Sequence, residues 1–161
     1  MRKIQNPWKD HESYNCFACA PNNPIGLHME FFEEGDEIIA FWKPTPDFQG
    51  WIDTLHGGIQ ATLIDEIASW AVLRKLQAAG VTTQLNVRYR RPVLTTETHI
   101  TLRARITDFQ HRLATIQVTL ENAAEKVCTE AEVVYHTMKE EQAREMGFTQ
   151  CVLEGDALLP M

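Results

Sequence analysis

The chain has 161 residues, a formal net charge of −7, and 44% hydrophobic against 23% charged residues. That length closes one ordinary core, and the acidic balance argues against nucleic acid as the main partner. No apolar run approaches the roughly 20 residues that span a bilayer, and Met1-Arg2-Lys3-Ile4-Gln5-Asn6-Pro7 lacks the apolar stretch of a signal peptide. A cytoplasmic protein with no membrane partner is the expectation.

Residues 1–26 carry Pro7, Pro21, Pro24 and Gly26, with Trp8, Tyr14 and Phe17 between them. Pro7 suits the first turn of a short helix running to Tyr14, Ala20-Pro21-Asn22-Asn23-Pro24 is turn chemistry, and the aromatics imply an arm packed on the domain. Residues 27–32 and 38–42 read as two strands joined through Glu33-Glu34-Gly35-Asp36, a hairpin signal. Pro44 and Pro46 end the second strand. The loop that follows, with Asp47, Phe48, Trp51 and Asp53, is a suitable pocket wall.

Next comes an uninterrupted apolar segment from Ile59 to Ala79, entered through His56-Gly57-Gly58 and stopped by Gly80 where helices often end. Its apolar residues, among them Leu63, Ile64, Ile67, Ala68, Trp70 and Leu73, cover more than one face, so the helix belongs in a core. Asp65 and Glu66 are out of keeping with that setting, because a buried carboxylate is costly unless paired or used.

Four alternating segments follow, at residues 84–90, 99–106, 113–120 and 127–135. Leu85, Val87 and Tyr89 alternate with Asn86, Arg88 and Arg90 in the first, and the odd positions from Val127 to Tyr135 form the more apolar set in the last. Period two with short connections marks an antiparallel meander with one wet face. Residues 138–146 are charged and helix-prone, and a tail passes Gly147, Gly155 and Pro160. There is no internal repeat. The expected division is an arm at 1–26, a domain at 27–137, and a helix with a tail at 138–161. An α+β fold results, a sheet of about six antiparallel strands wrapped around one long central helix.

Cys16 and Cys19 form a C-x-x-C, which fits zinc or redox chemistry. A zinc site needs two more ligands, only His11 and His28 lie nearby among histidines, and no βαβ pattern surrounds the pair. Reduced cysteines in a packed loop, with no metal, are expected.

The order strand, strand, helix, four strands, with His-Gly-Gly at the helix start, resembles the hotdog-fold acyl-CoA thioesterases of the PaaI type. The resemblance covers roughly residues 16–137. It rests on residues 56–65, where Asp65 falls nine positions after His56, on Thr82-Thr83-Gln84-Leu85-Asn86-Val87-Arg88-Tyr89-Arg90-Arg91-Pro92, and on Cys16-Phe17-Ala18-Cys19 with Asn23-Pro24-Ile25-Gly26-Leu27. It implies that Gly57 and Gly58 let the backbone approach a thioester, with the Gly58 amide facing the carbonyl oxygen. It also implies that His56 positions or polarises that carbonyl, that Asp65 is nucleophile or general base, and that Thr82 completes the site from the neighbouring subunit. The assembly implied is at least a homodimer, commonly a tetramer. Two departures stand out: Gly50 occupies the position where many relatives have a loop asparagine, and Val93-Leu94-Thr95-Thr96-Glu97 replaces a turn that commonly holds glycine.

Plainer readings stand beside these. Asp65 could be structural and Glu66 functional, although the spacing favours Asp65. His56 either acts on substrate or only caps the helix. Arg88, Arg90 and Arg91 are either solvated strand charges or partners for coenzyme A phosphates. Trp51 is the better pocket candidate and Trp70 a packing residue; His111 and His136 read as surface. Three functions remain: an acyl-CoA thioesterase needing no cofactor, since CoA is part of the substrate; a non-catalytic acyl-CoA-binding sensor or scaffold; and, last, a hydratase, whose Asp and His pair is missing. The acid in a buried helix favours the first.

Overall fold

The computed structural model describes residues 1–159, so Pro160 lies outside the described residues. The long helix α1 spans Gly57–Leu76 and is buried around most of its girth, through Leu63, Ile64, Ile67, Ala68, Trp70, Ala71, Val72 and Leu73. Truncating one of these, as in Ile67→Ala, costs about 2–5 kcal/mol. Its ends differ from expectation. His56 is the N-cap, and the helix stops at Gln77 in the left-handed region (φ 50°), not at Gly80. Gly80 opens a strand instead, where a Cβ would lie 2.8 Å from the His136 carbonyl oxygen. The glycine is needed for close strand approach, not for helix termination.

Among the described residues, seven strands form one antiparallel sheet. They are β1 (Arg2–Lys3), β2 (Phe32–Glu34), β3 (Glu37–Trp42), β4 (Gly80–Tyr89), β5 (Ile100–Gln110), β6 (Leu113–Glu121) and β7 (Val127–Thr137). Their spatial order is β1-β2-β3-β5-β6-β7-β4. The helix therefore carries the chain from β3 across the sheet to the far edge, packing on β3 to β7 on the way. Inward-facing Ala114, Ile116, Val118 and Leu120 of β6, and Thr129, Ala131, Val133 and Tyr135 of β7, are buried as their alternation predicts.

Three expectations need correction near the N-terminus. Residues 27–31 are not strand: Leu27 N–H donates to Phe17 O and Met29 N–H to Ala18 O, while Phe31 O accepts from Ile4 N–H. The arm takes the backbone partners that a sheet neighbour would have used, although Leu27, Met29 and Phe31 are buried all the same. The two-residue β1 is the seventh strand, carried by a segment with no alternation to reveal it. Residues 7–14 form successive turns rather than a helix. The C-terminal helix α2 is shorter than expected, at Glu140–Glu145.

Strand β4 departs most from its pattern. It lies at the sheet edge, and its helix side is not fully covered: Leu85 is 37% exposed and Tyr89 52%, while Val81, opposite His136 on the other face, is 50% exposed. A slip in its pairing with β7 falls between Thr82 and Gln84, so Thr82 faces Tyr135 while Leu85 faces Val133. The extra residue, Thr83, reverses the parity, and Thr82 joins Leu85, Val87 and Tyr89 on the helix side.

Candidate active site

Two parts of α1 carry exposed chemistry. The first is its entrance. His56 Nδ1 accepts the Gly58 amide hydrogen at 2.8 Å, and the His56 carbonyl accepts from Ile59 and Gln60, each at 3.1 Å. The Gly58 amide, expected to face a carbonyl oxygen, is therefore already engaged. The Gly57 amide has no acceptor among the described residues. A free first amide at the positive end of a helix dipole suits a developing oxyanion. With Nδ1 accepting, a neutral His56 carries its proton on Nε2, a second donor at the same entrance.

The helix entrance lines a groove of about 340 Å³ with Trp51, Tyr89, Arg90 and Arg91. Tyr89 O–H donates to Gly57 O at 2.7 Å and lays its ring 3.4 Å from where a Gly57 side chain would start. Trp51 is 86% exposed at the rim. Arg90 and Arg91 both donate backbone N–H to Cys128 O, which brings both residues to the groove. Arg88 does not reach it. That residue pairs in register with Glu130 and lines a separate shallow site with Asn86 and Glu132. Arg90 is tied to Glu130 at 3.3 Å. Gly50, where an asparagine was the family expectation, donates to Thr54 O, and a Cβ added there would lie 3.5 Å from His56; Gln49 accepts from the Asp53 amide.

The second part is Asp65, two turns on. Its Oδ1 accepts from Thr82 Oγ1 at 2.7 Å and from Tyr135 O–H at 2.9 Å. Its Oδ2 has no partner among the described residues. Thr82, expected from a neighbouring subunit, serves the acid of its own chain. Tyr135 was missed altogether, read only as one of an apolar set. Burial, and then the charge of Asp65, push its phenol above the ordinary range, so it stays a donor.

Glu66 points elsewhere, toward the arm. Trp70 Nε1 donates to its Oε1 at 3.0 Å, and Cys16 Sγ lies 3.7 Å from the same oxygen. Burial, then the adjacent Cys16, push the carboxyl up to about 7. Hydrogen bonding from Cys19 pulls the Cys16 thiol down to about 5. Glu66 thus faces the arm, away from the Thr82 and Tyr135 hydroxyls that hold Asp65.

The family described as thioesterase superfamily matches residues 53–129. Human acyl-coenzyme A thioesterase 13 is 34% identical over 89 residues, 55% of this chain and 63% of that protein. An uncharacterised protein of Schizosaccharomyces pombe is 30% identical over 92 residues, 55% of this chain and 53% of its own. The chain thus spans between half and two thirds of the length of these relatives. Zebrafish thioesterase superfamily member 2 superposes with TM-score 0.62 at 26% identity, covering 68% of this chain and 81% of that one. A Streptococcus pneumoniae thioesterase solved with coenzyme A gives TM-score 0.63 at 19% identity, covering 68% and 85%. No helix among the described residues is long and apolar enough to cross a membrane.

Proposed function

Because the chain belongs to the hotdog-fold thioesterase superfamily, we propose that it is an acyl-CoA thioesterase, hydrolysing R–CO–S–CoA to a carboxylate and free CoA at a site built from two copies. One observation carries this reading: Asp65 projects from the central helix with Oδ1 fixed by Thr82 and Tyr135 and Oδ2 unpartnered. A fixed carboxylate with one free oxygen is equipped to attack a thioester or to take a proton from water.

Helix geometry supports a site shared by two copies. Gly57 and Asp65 are eight residues apart on one helix, about 12 Å along the axis. An oxyanion donor works at about 3 Å from the oxygen it stabilises, and a nucleophile at about 3–3.5 Å from the carbon. One chain does not meet both conditions at one carbonyl. A two-fold pairing along β4, the exposed edge, would set a second helix antiparallel beside the first and bring Asp65 to the partner's entrance. It would also cover Leu85 and Tyr89 and close an edge otherwise open to pairing.

The Gly57 amide and His56 Nε2 then polarise the carbonyl, and Asp65 delivers the attack. Arg90 and Arg91, which line the groove, would meet the phosphates of coenzyme A, and Trp51 at the rim would flank the entering chain. Arg88, apart from the groove, fits a second contact on the outer strand face. The S. pneumoniae structure with coenzyme A agrees with this ligand class. CoA enters as part of the substrate, so the step draws on no separate cofactor.

A panel of short, medium, long and aryl acyl-CoAs, followed by thiol release, tests the reading in wild type and Asp65→Asn. Turnover on some thioester that collapses in the variant is expected. Tight binding of CoA esters with no turnover on any of them would overturn hydrolysis in favour of a binding protein.

A further inference from the structure

The cysteine pair is not absorbed by that chemistry, and its surroundings are unusual. Cys16 and Cys19 lie in a tight turn, closed by Ala20 N–H donating to Cys16 O at 3.1 Å. The turn is laid against α1 at Glu66. Sulfur atoms of both cysteines and a carboxylate oxygen of Glu66 lie within 4.8 Å of one another. Tyr14 O–H is 2.8 Å from Cys19 Sγ. The cavity at this point, about 360 Å³, is bordered also by His11 and Trp70, and no lysine or arginine lines it. Glu66 has no ion pair among the described residues. A carboxylate enclosed with two thiols and no cation is an arrangement that folding alone does not reward.

We propose that Cys16, Cys19 and Glu66 bind a thiophilic divalent cation, of which zinc is the type, fastening the N-terminal arm to the central helix. Two thiolates and a carboxylate are three ligands of a tetrahedral site, and water is available for the fourth. With metal–sulfur bonds of about 2.3 Å, ligand atoms stand about 3.8 Å apart, so the three have about 1 Å or less to close. The carboxylate comes from α1, fifty residues beyond Cys16, which is why the spacing of cysteines and histidines alone did not reveal it. Glu66 follows Asp65 directly, so the cation would also stiffen the helix turn that carries the reacting acid.

The test uses the intact protein, reduced and stripped of metal, titrated anaerobically with Co²⁺ and then Zn²⁺. One Co²⁺ per chain is expected, with a sulfur-to-cobalt charge-transfer band that Zn²⁺ abolishes. Zn²⁺ should also protect Cys16 and Cys19 from alkylation, read by peptide mass mapping. Cys16→Ser should lose the band, and Glu66→Gln should keep thiolate ligation while binding at least about tenfold more weakly. Absence of both the band and the protection in the wild-type protein would overturn the proposal. Unchanged affinity in Cys16→Ser, or a Cys16–Cys19 disulfide that forms on oxidation at the same rate with and without Zn²⁺, would do so too. None of these readouts depends on thioester turnover.

Discussion

Thr82 reaches Asp65 at 2.7 Å only because Thr83 is squeezed out of the β4–β7 ladder. Strict alternation with Leu85 would turn Thr82 to the outer face. The bulge places its hydroxyl beside that of Tyr135, its register partner, and both donate to one carboxylate oxygen. Deleting Thr83 makes Thr82 and Gln84 consecutive partners of Tyr135 and Val134, so the Thr82 hydroxyl should stay on the acid and kcat should remain within a few-fold of wild type, with the chain still folded by circular dichroism.

The two hydroxyls orient Asp65 and do not themselves react. Thr82→Val and Tyr135→Phe should each lower kcat about tenfold, the worth of one hydrogen bond to a charged group, with KM little changed. Asp65→Asn should cost about 10²–10⁴. Steady-state kinetics on the best acyl-CoA checks all three. Single turnover in ¹⁸O-water then tests the nucleophilic route: label found in Asp65 after turnover marks a mixed anhydride that water opened at the Asp65 carboxyl carbon.

At the helix entrance, a Cβ on Gly58 would stand 3.0 Å from His56 Nδ1. Gly58→Ala should push the imidazole off its cap, costing about 1 kcal/mol in stability and a larger share in turnover, because His56 Nε2 loses its aim. Thermal denaturation and kcat measured on the same preparation distinguish the two effects.

Acid stability has a definable source at the other end of α1. Glu33 on β2 holds Arg74 at 2.9 Å and Lys75 at 2.8 Å. Partial burial raises the Glu33 carboxyl, but the hydrogen bonds and charges of Arg74 and Lys75 outweigh it and hold the carboxyl below its ordinary value. The unfolded chain therefore binds more protons than the folded one just below the ordinary glutamate range. The contribution is complete above about pH 4.3 and is lost as pH falls through the lowered folded value. Glu33→Gln should lose about 1.5–3 kcal/mol at neutral pH and flatten the acid limb of a pH–stability curve. An unchanged limb would place acid sensitivity elsewhere.

Much of the fold was legible because it follows from burial. The all-round apolar helix and the odd-position set of β7 could have only one partner, each other. The helix end and the bulge were not legible, since both depend on tertiary register: Gln77 takes a left-handed turn that nothing in its type requires, and Thr83 looks like any strand residue. At the site, Asp65 and His56 stood out by spacing, but the allocation of amides did not. Which of Gly57 and Gly58 stays free is decided by the rotamer of one histidine. Tyr135 was hidden because its ring fits an apolar pattern and only its hydroxyl has a polar task. Residues 27–31 were read as strand because their alternation is real; the arm, not a sheet neighbour, uses it.

An exposed strand edge is the other structural fact that function should inherit. Leu85→Glu places a charge on the half-covered face of β4, which should shift the protein to a monomer in sedimentation and remove turnover together with assembly. A fully active monomer would contradict a shared site.

The most direct measurement is complementation between two disabled chains, Asp65→Asn and His56→Ala, carried on different tags and purified as the mixed dimer. If acid and carbonyl donors come from opposite copies, one of the two sites in that dimer is wholly wild type. About half of wild-type turnover should return, while each parent alone stays nearly inactive. A mixed dimer no more active than its parents would contradict the account and return acid and donor to one chain.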